Sequence, residues 1–365
     1  MDTVEWSAGR ERTARWVARN LPPDTRVVGA RGLRGGWTSE MWHLETVGPE
    51  GARGGVVLRS LVREFFRAHA PGLLGREARV LELLAPGPVP AARLLAVDPT
   101  GEHTDHPSLL MTLLPGGLRL GAPAGEEPES AVDRRVRLLA RQLADIHRFE
   151  PAPADRPRAW QAWTAADRVR VPADTTRPGL WRRAVELIRR EQPDPATYRP
   201  CFLHRDYHPG NVLFSDSPDG RPGGERITGV VDWVETSTGP ADLDVAHCST
   251  SLALLHGPDT ALGFAEHYLR EGGRDLAADP ADRLYWHLLD ALAFAPDAEK
   301  VATVWRGAGR PDLTPERAAA RLEEWLAALL ERFDRPPTRR PGGGTDEHRG
   351  GETTGTGDAK ERVGT

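Results

Sequence analysis

CFLHRDYHPGNVLF, residues 201–214, breaks a strand-like apolar run at His204-Arg205-Asp206, turns through Pro209-Gly210, presents Asn211 and resumes as Val-Leu-Phe. Asp206 and Asn211 stand five positions apart on the two limbs of one loop, flanked by apolar segments. Either the loop holds something between its limbs or it is a well-made turn, since Asp and Asn are ordinary turn residues. A second stretch bears on the choice. RITGVVDWVE, residues 226–235, reads as another short strand and carries Asp232, and a hairpin between it and CFLH…NVLF would bring a third oxygen-bearing side chain to the same place. A turn accounts for one such residue; three of them between β-type runs point to a binding site.

A rival reading makes His204, Asp206 and His208 the metal ligands of a hydrolase. Alternate residues of an extended segment share a face, so the geometry allows it. It needs further ligands, however, and the chain contains no H-x-H-x-D-H or H-E-x-x-H. It also leaves the Pro-Gly-Asn continuation unexplained.

Composition narrows the function classes. The chain has 365 residues, 39% of them hydrophobic, and a formal net charge of -5. That length supports one large core or two smaller ones. The acidic balance carries no polyanion-binding signal, so no nucleic-acid partner is expected. Lys300 and Lys360 are the two lysines, and arginine supplies nearly all positive charge. There is no G-x-x-x-x-G-K-[ST], which excludes a P-loop nucleoside triphosphatase. Cys201 and Cys248 are too few for a disulfide framework or a four-cysteine zinc site and read as buried small side chains in a reducing cytoplasm. The charged N-terminal stretch lacks the apolar segment of a signal peptide, and no apolar run approaches the roughly 20 residues that span a bilayer. A cytoplasmic protein without membrane contact is expected.

Outward from the loop, the chain reads in three parts. A helix over 4–20, with Val4, Trp16 and Val17 on its apolar positions, ends before Pro22-Pro23. Three β-type runs follow, RVVGARGL, EMWHLETV and GGVVLRSL, then a helix in GREARVLELLA with Ala78, Leu81 and Leu84 on one face. ARLLAVD and PSLLMTLL close this β-rich part at Pro115-Gly116-Gly117. The next part is mainly helical and includes an amphipathic run with apolar residues at 132, 136, 139, 143 and 146. Within it, 151–180 is rich in Pro, Arg and Trp and reads as loop. From Pro336 the sequence loses apolar content and reads as a disordered tail.

HRDYHPGN followed by GVVDW resembles the catalytic region of the aminoglycoside phosphotransferase-like family, small-molecule kinases with the protein-kinase fold. The resemblance covers roughly residues 30 to 330 in order. It implies an α+β, protein-kinase-like bilobal fold: a small β-rich nucleotide lobe over 1–114, a mainly helical catalytic and acceptor lobe over 115–335, and the tail over 336–365. It implies Asp206 as the base or positioner of an acceptor hydroxyl, and Asn211 and Asp232 as oxygen ligands of Mg2+. His204 and Asp244, the latter in GPADLDVAH (239–247), would support the catalytic loop, with an N-cap as the alternative for Asp244. In the nucleotide lobe Gly35, Gly36, Thr38 and Ser39 would lie near the phosphates, and backbone groups from Met111 to Leu114, Thr112 and Leu114 among them, would meet a purine.

One position departs from the family pattern. Arg59 in GGVVLRS falls where a lysine paired with a helix glutamate is usual, and Glu77 is its natural partner. Arginine can grip phosphate but not with lysine's geometry; the alternative is a surface salt bridge worth little. Glu235 and Asp242 read as solvated charges, with a place facing a cationic acceptor as the alternative. A protein kinase would show D-F-G and a long activation segment; here Asp232-Trp233-Val234 runs quickly into GPADLDVAH, which favours a small acceptor. The expected activity is transfer of the γ-phosphate of ATP or GTP to a hydroxyl of a small molecule, an antibiotic or an ordinary metabolite. The alternative from another class is a nucleotide-binding protein without catalysis.

Overall fold

The computed structural model describes residues 6–33, 39–123, 126–189, 192–217 and 224–334. Helix α1 (Glu11–Asn20) leads into β1 (Arg26–Gly32), β2 (Glu40–Val47) and β3 (Arg53–Ser60). Short α2 (Glu64–Ala68) and long α3 (Ala70–Leu84) connect to β4 (Leu94–Asp98) and β5 (Ser108–Thr112). The strands form one antiparallel sheet in the order β1-β2-β3-β5-β4. The expected helix over 4–20 is broken, because Gly9 takes a left-handed backbone (φ 74°) and α1 starts afresh at Glu11. Val4 lies outside the described residues.

Side-chain alternation along β3 sorts the sheet into two faces. Val56 and Leu58 join Trp16, Val17, Leu44 and Leu110 in a small core beneath α1. Val57 joins Leu74, Ala78 and Leu81 of α3 in the main core, and Arg59, two residues on, faces that same helix. On α3 the buried stripe runs through Ala70, Leu74, Glu77, Ala78, Leu81 and Leu84, so helical spacing alone carries a carboxylate into the interior.

After β5 the chain passes through β6 (Gly117–Leu118) into a helical lobe built from α4 (Glu129–Arg148), α5 (Pro178–Arg189), α6 (Asp242–His256), α7 (Pro258–Arg270), α8 (Pro280–Ala291), α9 (Glu299–Gly307) and α10 (Pro315–Phe333). Two small sheets sit on it: β7 (Cys201–Leu203) with β10 (Ser237–Gly239), and β6 beside the hairpin of β8 (Val212–Ser215) and β9 (Arg226–Val230). The fold is thus α+β, a β-rich first lobe followed by a mainly helical second. The hairpin expectation holds for NVLF but not for CFLH. Arg205 in a left-handed conformation (φ 73°) and the 3-10 turn Pro209–Asn211 swing the chain between β7 and β8, which belong to different sheets.

Helix α6 is buried from Asp242 to Leu255, and its Asp244 and His247 therefore need internal partners. Cys201 and Cys248 are buried and unpaired, as expected. Among the described residues no helix is long and apolar enough to cross a membrane. The expected tail lies outside them.

Candidate active site

The β8–β9 hairpin brings its two ends together. Val212 pairs with Val230, and one step further the Val231 N–H donates to the Asn211 carbonyl at 3.0 Å. Asn211 therefore abuts the residue that precedes Asp232. The Asn211 side-chain amide donates to Oδ2 of Asp206 at 3.0 Å and to the Asp206 carbonyl at 2.9 Å, which leaves the Asn211 Oδ1, unbonded among the described residues, to face a cation. Asp232 takes a left-handed backbone (φ 65°) at the start of the turn Trp233–Glu235 and is 40% exposed. An amide oxygen and an exposed carboxylate suit a hard cation such as magnesium.

Behind the loop, Asp244 accepts the His204 and Arg205 backbone N–H groups at 2.8 Å each. It also accepts His147 Nε2–H at 3.1 Å, and His147 Nδ1 lies 2.7 Å from the Tyr268 hydroxyl. Burial alone would raise the Asp244 pKa, but the His147 hydrogen bond and the nearby Arg205 guanidinium hold it below its ordinary value. Asp244 is the third residue of α6, whose N-cap is Ala241, so the capping alternative falls.

His204 is fully buried. Its Nε2 donates to the Val231 carbonyl at 3.0 Å and its Nδ1 accepts the Asp206 N–H at 3.2 Å. Burial lowers its pKa. With both nitrogens engaged, His204 has no lone pair for a metal, and the hydrolase reading fails at that residue. Asp206, His208 and His247 do bring one ligand atom each within 4.8 Å of one another. His208 Nδ1, however, accepts the Gly210 N–H at 3.0 Å, which puts its proton on Nε2, the atom facing Asp206. Burial keeps this ring neutral, with its pKa lowered to about 4.

Across the cleft, Arg59 Nη1 lies 2.9 and 3.0 Å from the two Glu77 oxygens and 3.1 Å from Asp232 Oδ1. The Arg59 and Glu77 side chains are 6% and 2% exposed, so the surface-pair alternative is overturned. Burial opposes the Arg59 charge, yet Asp232 and Glu77 raise its pKa; burial pushes that of Glu77 up. The Arg59–Asp232 contact has no signal in the sequence, because 173 positions separate the two. Ser39 is nine-tenths buried, and its hydroxyl has no hydrogen-bond partner among the described residues. Gly35, Gly36 and Thr38 lie outside the described residues. The Thr112 N–H donates to the Arg93 carbonyl and the Leu113 N–H to that of Gly55. Thr112's amide is committed to the sheet, and Leu114 is the next donor after the strand ends.

Sequence reading missed the groups beside Asp206. His247 Nε2 lies 3.1 Å from Asp206 Oδ1 and its Nδ1 2.9 Å from Asp290 Oδ1. Its ring meets Trp163 edge-on at 5.1 Å and stacks on Phe294 at 5.7 Å, while Trp305 lies 5.9 Å from His208. Arg205 stacks over Trp163 at 4.4 Å. A signal existed: His247 follows Asp244 at i+3, the spacing that shares a helix face, and Asp290 interrupts an apolar helix. Of the two acids expected as solvated charges, Glu235 stays partly exposed and Asp242 does not. Glu235 pairs with Arg158 at 2.8 Å. Asp242 is buried against the Ala277 N–H at 3.1 Å, and burial pushes its pKa up to about 6.

The chain matches the model of the phosphotransferase enzyme family over residues 29–279, more than half its length. Three solved structures share the fold. A candidate aminoglycoside phosphotransferase from Ralstonia eutropha JMP134 is 16% identical, with a TM-score of 0.59 over 88% of this chain and 98% of that one. Macrolide 2'-phosphotransferase type I is 17% identical, TM-score 0.51, over 88% and 96%. APH(2")-IIIa, solved with GDP and kanamycin, is 16% identical, TM-score 0.52, over 84% and 95%. A sequence comparison with curated proteins finds no match. With its bilobal fold and this match over most of the described residues, the protein belongs to the phosphotransferase enzyme family.

Proposed function

We propose that the protein transfers the γ-phosphate of ATP or GTP to a hydroxyl of a small, weakly charged molecule with an apolar body. The observation that carries this reading is the meeting of Asp206, Asn211 and the Asp232 turn at one loop and hairpin end, with Arg59 and Glu77 facing them. Magnesium, held by Asn211 and Asp232, would neutralise charge on the phosphates. The chain's own residues do the rest. Asp206 accepts the acceptor hydroxyl's hydrogen bond and aims its oxygen at the γ-phosphorus. The new O–P bond forms as the bond from phosphorus to the bridging oxygen breaks, the nucleoside diphosphate leaves, and the acceptor proton passes to Asp206 and then to water. Asp244 and His204 hold the loop that carries Asp206. Arg59, fixed by Glu77, offers a cationic group on the nucleotide side, and the Leu114 N–H a donor to a base.

The acceptor class follows from what surrounds Asp206. Trp163, 38% exposed, stands there with Phe294, Trp305 and the Arg205 guanidinium. The neighbouring acids are occupied, Glu235 by Arg158 and Asp290 by His247. Aromatic faces favour an apolar body over a polycation. Several phosphotransferases of this fold act on aminoglycosides, which gives a second reading in which a polyamino sugar is the acceptor. The test is mass-spectrometric detection of product from Mg-ATP or Mg-GTP and a panel of macrolides, aminoglycosides, amino alcohols and sugars, with Asp206→Ala as control. A phosphorylated macrolide-like or other apolar alcohol is expected. Phosphorylation confined to polyamino sugars would sink the acceptor assignment, and product from the control would sink the role of Asp206.

A further inference from the structure

We infer that His247, clamped by Asp290, is the positioning residue for Asp206, and that it makes Asp206 an acceptor of a hydrogen bond rather than of an early proton. This deepens the reading of Asp206 given above and rests on it.

Each Asp206 oxygen has one protein donor within hydrogen-bond reach: Oδ1 faces His247 Nε2 at 3.1 Å, with His208 Nε2 farther off at 3.6 Å, and Oδ2 the Asn211 amide at 3.0 Å. The carboxylate is fixed in both rotation and tilt. His247 itself has no freedom. Its ring is 4% exposed, held at Nδ1 by Asp290, with Trp163 and Phe294 against its edge and face.

Asp290 shows the charge state. Its side chain is 3% exposed, and its Oδ2 has no hydrogen-bond partner among the described residues. With a neutral imidazole as its one hydrogen-bond partner, a carboxylate so buried would rely on the field of the Arg205 guanidinium alone. An imidazolium between two carboxylates resolves this, each nitrogen donating to one oxygen. The other charged or titratable groups around the three are His208, at 5.6 Å between ring centres, and His287, both kept neutral by burial, and the buried Arg205 guanidinium, whose field favours the two carboxylates. Burial disfavours the His247 charge, but Asp290 and Asp206 outweigh it and raise the pKa to about 10.

A cation on Oδ1 lowers the proton affinity of Asp206. Phosphoryl transfer tolerates this, because its loose transition state gathers little charge on the attacking oxygen until the new bond is advanced. The acceptor oxygen therefore bonds to phosphorus first, and its proton then crosses to Asp206. Orientation is what the His247–Asp290 pair supplies, and a misplacement of 1 Å at such a group costs on the order of 100-fold in rate.

The test compares His247→Gln, His247→Ala, Asp290→Asn and Asp206→Asn in the full chain, with Mg-ATP and water or the screened alcohol as acceptor. His247→Gln should lower kcat on the order of 100-fold while KM for nucleotide stays within about twofold. In parallel, 15N-histidine spectra at pH 8 should show one doubly protonated ring in the wild type, absent from His247→Gln and weakened in Asp290→Asn. Wild-type kcat in both His247 variants, with Asp206→Asn inactive, overturns the positioning role. A neutral His247 ring in the wild-type spectrum overturns the charge assignment even if a variant fails to fold. Full activity in Asp206→Asn instead removes the reading on which the inference stands.

Discussion

Glu77→Gln isolates the buried pair that joins the sheet of the first lobe to α3. The substitution keeps the side chain's shape and removes its charge. In the native protein Arg59 and Glu77 approach to 2.9 Å with side chains 6% and 2% exposed, so solvent screens them little. At an effective dielectric of about 20, a contact of that length carries roughly 5–6 kcal/mol of attraction. Most of it offsets the cost of withdrawing two charges from water, which is why the net value of the pair is small. Removing one partner is different, since it strands the other and typically costs 3–5 kcal/mol. Here Arg59 retains Asp232 at 3.1 Å, which places the expected loss at about 3 kcal/mol. Urea denaturation would measure it as a shift in midpoint at constant slope. The double variant Arg59→Met/Glu77→Leu should recover to within about 1 kcal/mol of wild type, because apolar replacement of a whole buried pair is close to neutral. A loss below about 1 kcal/mol in Glu77→Gln, or a double variant no better than the single, would refute the electrostatic reasoning.

Three further outcomes follow from the same geometry. Asp232→Ala should abolish the magnesium-dependent part of nucleotide binding while leaving metal-free binding within about twofold, read by calorimetry with and without chelator. Asp244→Asn should cost about 3 kcal/mol, because its amide replaces an acceptor facing two backbone N–H groups at 2.8 Å with a donor; thermal denaturation checks this. Acid should weaken the fold: His208 and His287 are buried with pKa values lowered to about 4. Their contribution is complete above the unfolded value near 6.5 and is lost as pH falls toward 4, at up to about 1.4 kcal/mol per unit for each. His247, with its raised pKa, contributes oppositely, fully below 6.5 and decreasingly as pH rises toward 10. The melting temperature should drop between pH 7 and pH 5, and His287→Asn should flatten that slope; a flat wild-type profile would count against these burial assignments.

What the sequence made legible was whatever local spacing encodes. Period-two runs marked β1 to β5, and the helical stripe on α3 exposed Glu77 as an acid among apolar positions, so its pairing with Arg59 could be anticipated. HRDYHPGN with GVVDW announced the loop and the hairpin end. The rest depended on distant contacts. No spacing rule joins Arg59 to Asp232 or His147 to Asp244, and the short β10 strand has three residues with no apolar alternation. Trp163 reached the site from a loop that composition alone described as Pro-, Arg- and Trp-rich, and loop paths carry no periodicity to read. Asp242 was misjudged because charge on a segment after a turn ordinarily means solvent, whereas α6 is buried on every side.

Arg205 and Asp232, at the two sides of the loop, share a left-handed backbone that only glycine adopts freely. Each such residue costs on the order of 1 kcal/mol or more in strain. The simplest stabilising replacements in this protein, glycine at 205 and glycine at 232, would therefore remove the guanidinium over Trp163 and the carboxylate beside Arg59. Selection for a sturdier enzyme would find its cheapest steps closed, and thermostable variants should arise at the helices of the second lobe rather than at the loop that carries Asp206.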